Sequence, residues 1–331
     1  MLATGAVLAG APLLGQLAYA PSPALAVSST GDPVIGAVGD MACDTSDPAY
    51  IQSLGAGIAS NCAEQRTSNA MLADPLIDTV LGLGDYQYDC GDLTDYEASY
   101  NPTWGRLDPK MDPVAGNHEY KTGNDVYGRA CPTTNTTAAN YFAHFMPYND
   151  SAHQTTTGHY SFDLGDWHII ALNGNCRRAG GCSATSTQTT WLKKDLAADA
   201  RPCTLAYWHQ PLFTGLAKGI AKAYRPWWNA LYAAHADVVL NGHIHNYQRY
   251  APLSPTGAPD PTGLTEYVVG TGGEKQVAVA ANSVPHPVTN DKTFGYLRMA
   301  LSAGSWTAEF VDTNGAVLDT STGVCHRAVT S

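Results

Sequence analysis

Asp40, Asp85, Tyr88, Asn117, His209, His243 and His245 carry oxygen and nitrogen atoms that bind metal ions, and each stands close behind a short apolar run. They fall in five segments: Gly39-Asp40, Gly84-Asp85-Tyr86-Gln87-Tyr88, Gly116-Asn117-His118-Glu119, Trp208-His209 and Gly242-His243-Ile244-His245. Two carboxylates, a phenol, an amide and three imidazoles suffice to hold two ions about 3.5–4 Å apart around one bridging carboxylate. That arrangement steadies both the attacking and the leaving oxygen of an in-line displacement. The pattern makes the chain a candidate two-metal hydrolase.

The fold must bring these separated segments together. In layered α/β sheets, ligands gather beyond the carboxyl ends of strands. The runs Val34 to Val38, Thr79 to Leu83, Pro113 to Ala115, Thr204 to Trp208 and Asp237 to Leu240 each stop at one of the motifs. Short runs of that kind predict buried strands. Between them, Gln188 to Ala200 places Trp191, Leu192 and Leu196 on one helical face, and Arg225 to His235 does the same with Trp228, Leu231 and Tyr232. Tyr160 to Leu172 alternates around a Gly165-Asp166 turn, which predicts a hairpin. From Glu266 to Leu318 the pattern stays β, with Asn314-Gly315 as a second hairpin turn.

With 331 residues, 44% of them hydrophobic, the chain can bury a full core, and one large domain is expected over residues 34–320. Eighteen basic side chains against 29 acidic ones give a net charge of −11, so no nucleic-acid-binding surface is expected. Residues 1–26 read as an export leader, with Ala24-Leu25-Ala26 as a small-x-small cleavage pattern, although no Lys or Arg precedes Arg66. Short tails are expected at 27–33 and 321–331. No later stretch is long and apolar enough to span a membrane, so a secreted protein is expected.

Eight cysteines, at positions 43, 62, 90, 131, 176, 182, 203 and 325, contain no CxxC pair. An even set of this kind favours disulfides over a thiolate zinc site. The two pairs favoured are Cys176 with Cys182, across a glycine-rich loop, and Cys203 with Cys325, which ties the C-terminus to a core strand. Asn135-Thr136-Thr137 and Asn149-Asp150-Ser151 are glycosylation sequons.

Taken in order, Gly-Asp, Gly-Asp-x-x-Tyr, Gly-Asn-His-Glu, x-x-His and Gly-His-x-His resemble the calcineurin-like metallophosphoesterases, and within them the purple acid phosphatase branch. The resemblance covers about Val34 to Gly273. It implies an α/β fold, a four-layer αββα sandwich of two mixed β-sheets flanked by helices, around a dinuclear metal site. Since the first motif begins at Gly39, no room is expected for the separate N-terminal β-domain of plant members.

One substitution bears on the metals. Most of the wider superfamily carries Asp-x-His in the first motif, but here Asp40 is followed by Met41 and Ala42, and Tyr88 takes the place of that histidine. A phenol with a free pKa near ~10 ionises on a trivalent ion, and hard phenolate suits Fe(III) better than zinc. By resemblance, Fe(III) takes Asp40, Tyr88 and His245, a divalent ion (Fe, Zn or Mn) takes Asn117, His209 and His243, and Asp85 bridges them. Tyr86 is expected in the core.

The implied function is a secreted phosphatase of small phosphomonoesters that works by in-line attack of a metal-bound hydroxide, with His118 as acid to the leaving group. The same machinery acting on phosphodiesters or nucleotides is one alternative, and a hydrolytically silent metal-binding protein is another. Lys218 stands where the branch usually has a substrate-binding histidine. It is either a phosphate contact, which would move the pH optimum toward neutral or alkaline, or an exposed loop lysine. Arg249 also has two roles open, a phosphate contact or an ion pair inside the fold. His144, His153, His159, His168, His235, His286 and His326 lie outside the motifs and are expected to be structural or solvent-facing.

Overall fold

A computed structural model describes residues 31–148, 157–216, 221–280 and 287–327. The expected leader, the second sequon, His153, His286 and Lys218 lie outside them.

Strand alternation sets the layers. In β1 (Val34–Val38), Ile35 and Ala37 face one core and Val38 faces another. The parallel strands β2 (Thr79–Gly82) and β3 (Met111–Pro113) follow beside it. β3 begins two residues before the expected run at Pro113. Its ladder closes with the Val114 N–H on Gly82 O at 3.0 Å, and Val114 and Ala115 are apolar because they are buried.

The second sheet starts with the expected hairpin, β4 (Tyr160–Leu164) and β5 (Trp167–Ala171), and continues through β6 (Cys203–Tyr207) and β7 (Val238–Asn241). β8 (Tyr247–Arg249), β9 (Thr265–Val269) and β10 (Val288–Asn290) complete it, in the order β10-β8-β9-β7-β6-β5-β4. β11 (Gly295–Ser302), β12 (Ser305–Asp312) and β13 (Val317–Val324) return antiparallel to the first sheet, whose order is β13-β12-β11-β1-β2-β3. Gly315, at φ 82°, makes the β12–β13 turn.

Leu81 and Leu83, before the site, and Ile169, Leu205, Leu240, Val269, Leu297 and Phe310 fill the space between the two sheets. Each such buried side chain contributes about 1.5–3 kcal/mol, which keeps the strand ends fixed relative to one another. Outside the first sheet lie α1 (Pro48–Ser53), α2 (Glu64–Ala73), the short α3 (Leu93–Asp95) and α4 (Ala139–Phe145). Outside the second lie α5 (Thr187–Ala198) and α6 (Arg225–Ala233), which bury Leu192, Leu196, Trp227, Trp228 and Leu231 against Ile170, Ala206 and Val239. The result is two mixed sheets sandwiched between helices.

All eight cysteines are paired: Cys43–Cys62, Cys90–Cys131, Cys176–Cys182 and Cys203–Cys325. The last bond joins the start of β6 to the residue after β13, whose own last residues, 321–324, belong to the first sheet. No described helix is long and apolar enough to cross a membrane.

Candidate metal centre

The loops that follow β1, β2, β3, β6 and β7 carry the five motifs, and they meet at one end of the sandwich. Asp85 lies at the middle. Its Oδ2 is 2.9 Å from His209 Nε2 and 3.1 Å from the Tyr88 hydroxyl. That hydroxyl is in turn 2.9 Å from Asp40 Oδ1 and 3.0 Å from His245 Nε2, and His243 Nδ1 is 3.2 Å from His209 Nε2. Six of the seven expected ligands thus form one continuous network. For the seventh, Asn117, the side-chain oxygen is buried and has no hydrogen-bond partner among the described residues.

Two imidazoles are held from behind by backbone carbonyls. His209 Nδ1–H donates to Leu83 O (2.7 Å) and His245 Nδ1–H donates to Lys275 O (2.8 Å). Fixing Nδ1 this way leaves Nε2 facing the centre as an electron-pair donor, the arrangement metal sites use to orient histidine. The set therefore fits two ions: hard oxygen donors and imidazoles converge, and one buried acceptor lacks a partner.

The backbone is bent to achieve this. Asp40, Asp85 and His243 adopt left-handed conformations, with φ of 60°, 54° and 70°. Such conformations cost about 1–3 kcal/mol each for non-glycine residues and persist only where neighbours enforce them. Close approach is the second requirement: a Cβ on Gly116 would lie 2.1 Å from Asp85 Oδ1, and one on Gly242 would lie 2.7 Å from Asp40 Oδ2. The glycine-rich stretch from Gly270 supports Asp40 from below, through Gly272 N–H on Gly39 O (3.0 Å) and Glu274 N–H on Asp40 O (3.1 Å). Its glycines serve packing against the first motif.

His118 is oriented by Asp89, which lies outside the five motif segments. Its Nδ1–H donates to Asp89, 2.6 Å from the carbonyl oxygen and 3.1 Å from Oδ1, which leaves Nε2 pointing toward Asp85 Oδ2 at 4.0 Å. The Asp89 carboxylate is itself held by Lys121 Nζ (2.5 Å) and the Val126 N–H (2.8 Å). The His118 ring packs on the Tyr88 ring, with centroids 4.2 Å apart. Glu119, the neighbour in sequence, instead turns its carboxylate toward the Gly84-Asp85-Tyr86 and Gly116 backbone. From the second sheet, Asn175 Nδ2 donates to Ala115 O and Gly116 O at 3.2 and 3.0 Å, gripping the peptide next to Asn117. Asp89 adjoins Tyr88 in sequence and Glu119 closes the Gly116-Asn117-His118-Glu119 segment, whereas Asn175 lies outside all five motifs.

The charges are strongly coupled. Burial would raise the Asp85 carboxyl, but His209 and His118 outweigh it and hold it far below the ordinary range. Burial would lower His209 and His245, yet Asp85 and Asp40 respectively push them up to about 9. Burial and the His209 charge together depress His243 to about 4. His118 is raised, its burial being overcome by Asp85 and Asp89. Burial and the carboxylates of Asp40 and Asp85 keep the Tyr88 phenol well above its usual value.

Arg249 takes the internal role. Its Nε and Nη2 donate to the two oxygens of Asp319 on β13, at 2.6 and 2.9 Å, an ion pair between the sheets and the second of the two roles left open for it. Tyr86 packs in the core against Tyr100 and Phe145. His144 pairs with Asp108, His168 with Asp163 and Asp195, and His326 with Asp237, all away from the motifs.

Comparison with known proteins agrees with the geometry. Residues 37–247 match the model of the calcineurin-like phosphoesterase family. Purple acid phosphatase 22 of Arabidopsis thaliana is 25% identical over 228 residues, 65% of this chain and 50% of that protein. The chain spans half or less of the length of the first curated relatives it matches. Among solved structures, a purple acid phosphatase from yellow lupin seeds superposes with a TM-score of 0.68 at 15% identity, covering 88% of this chain and 53% of that one. GAP50, described as the anchor in the inner membrane complex of Plasmodium, superposes with a TM-score of 0.58 at 13% identity, covering 89% and 90%. The family match spans most of the described sandwich and all seven converging side chains, and the chain belongs to the calcineurin-like metallophosphoesterases, in their purple acid phosphatase-like branch.

Proposed function

We propose that this protein is a secreted phosphatase that hydrolyses small phosphomonoesters at a dinuclear metal centre. The observation that carries the reading is the buried, unpartnered Asn117 Oδ1 beside a network of six further donors centred on Asp85. Asp40, Tyr88 and His245 would hold Fe(III), Asn117, His209 and His243 a divalent ion (Fe, Zn or Mn), and Asp85 both. When bound, the ions would neutralise the phosphoryl oxygens and acidify a water so that hydroxide is available for in-line attack. His118 carries the other half of the chemistry. With Nδ1–H on Asp89, its second proton sits on Nε2, facing Asp85, where it can pass to the departing alkoxide. The four disulfides suit an oxidising, extracellular setting. Lys218 remains a proposed phosphate contact, to be tested by the Michaelis constant and pH profile of Lys218→Ala.

The fold alone does not decide for hydrolysis, since a protein of the same fold is described as an anchor. His118 favours it, because a silent metal binder gains nothing from an imidazole held with a free Nε2 toward the bridging carboxylate. Visible spectroscopy tests the ferric assignment: a phenolate-to-iron band should colour the oxidised protein, and Tyr88→Phe should bleach it with the fold intact. A colourless, fully active protein holding only zinc or manganese would refute it.

Metal uptake should also release protons. At pH 7 the metal-free His209 and His245 lie below their values of about 9 and are protonated, as is Tyr88. All three must lose that proton to bind, so loading at pH 7 should release about three protons per site and should weaken as pH falls. Calorimetry in buffers of different ionisation heat measures the number. Release of none would remove these three from the ligand set.

A further inference from the structure

Glu119 is 2% exposed and makes no salt bridge among the described residues, although the His209 charge acts on it. Its partners are three backbone amides. Oε2 accepts from the Asp85 N–H (3.0 Å) and the Gly116 N–H (2.6 Å), and Oε1 accepts from the Tyr86 N–H (2.8 Å). These donors belong to two different strand-end loops, one after β2 and one after β3. Asp85 is left-handed at φ 54°, a conformation its own side chain disfavours, and the Gly116 backbone lies so near that a Cβ there would meet Asp85 Oδ1 at 2.1 Å.

We propose that Glu119 is a positioning residue for the bridging carboxylate: its two oxygens clamp the Asp85-Tyr86 and Gly116 loops at one separation and hold Asp85 in its left-handed turn. A carboxylate suits the task because it accepts at both ends, whereas a glutamine would leave one amide end facing an N–H. Aspartate is one methylene too short to reach both loops. The consequence for metal binding rests on the dinuclear reading above, but the clamp itself does not.

The test compares wild type with Glu119→Gln and Glu119→Asp, each well below its melting temperature. Amide hydrogen exchange is followed in the metal-free proteins, and Zn²⁺ affinity is measured by competition with a chelating dye. Loss of charge-assisted bonds predicts that the Asp85, Tyr86 and Gly116 amides exchange roughly 10–100-fold faster while β1 and β6 are unchanged. Zn²⁺ affinity should fall by roughly 10–100-fold, as for other residues that orient ligands. Unchanged exchange and affinity in both variants would overturn the proposal, and so would acceleration spread evenly over the domain. A wild type that takes up no Zn²⁺ would sink the metal reading alone, since the exchange measurement still decides whether Glu119 holds the two loops.

Discussion

Asp85→Asn is expected to empty the metal centre and to lower phosphatase turnover by roughly 10³-fold or more. The Asp85 carboxylate joins the two halves of the network side chain to side chain, through His209 on one side and Tyr88 on the other. Asparagine preserves the shape and can still accept the His118 N–H that now sits 2.8 Å from Asp85 Oδ1, so the fold should survive. What it lacks is the charge. Without it the two ions would share no anion, and losing several kcal/mol of charge stabilisation, taken as about 4, is a factor of ~10³ in rate. Elemental analysis and circular dichroism of the purified variant check both parts. Retention of two ions per chain would contradict the bridging role.

His118→Ala should separate holding metal from using it. Both ions should stay, because His118 contributes only its backbone N–H to Asp85 and its side chain stands off at 4.0 Å. The loss is of proton donation, worth roughly 10²–10⁴ in rate. A nitrophenolate leaves unaided, so an aryl phosphate should suffer less than an alkyl phosphate such as glycerol phosphate. Asp89→Asn, which keeps a carbonyl for Nδ1 but removes the charge, should show the same leaving-group dependence with a smaller deficit. Equal losses on both substrates with metal retained would mean that His118 orients the phosphate and donates no proton.

The motif loops were legible because chemistry and topology coincide there: each polar cluster interrupts an apolar strand at its carboxyl end, and the strand periods separate as Ile35 and Ala37 from Val38 do. The Cys176–Cys182 and Cys203–Cys325 bonds were legible for similar reasons of loop and strand placement. α2 was not, since the face it buries includes Glu64, Thr67 and Ser68 beside Met71, and a polar buried face leaves no apolar period to read. Arg249 could not be decided from sequence because its partner, Asp319, lies on a strand that returns from the far end of the chain. Nor do residue types announce that Asp40, Asp85 and His243 take left-handed turns, or that Asp89 holds His118 while Glu119, one residue on, faces the backbone. Those features depend on how two sheets approach each other.

Metal analysis of the purified wild-type protein, joined to its visible spectrum and its turnover of an aryl phosphate, tests the dinuclear reading most directly. The expected result is two ions per chain, one of them iron, with a phenolate band and an activity that chelation removes and metal restores. Turnover that persists undiminished after both ions have been stripped would contradict it.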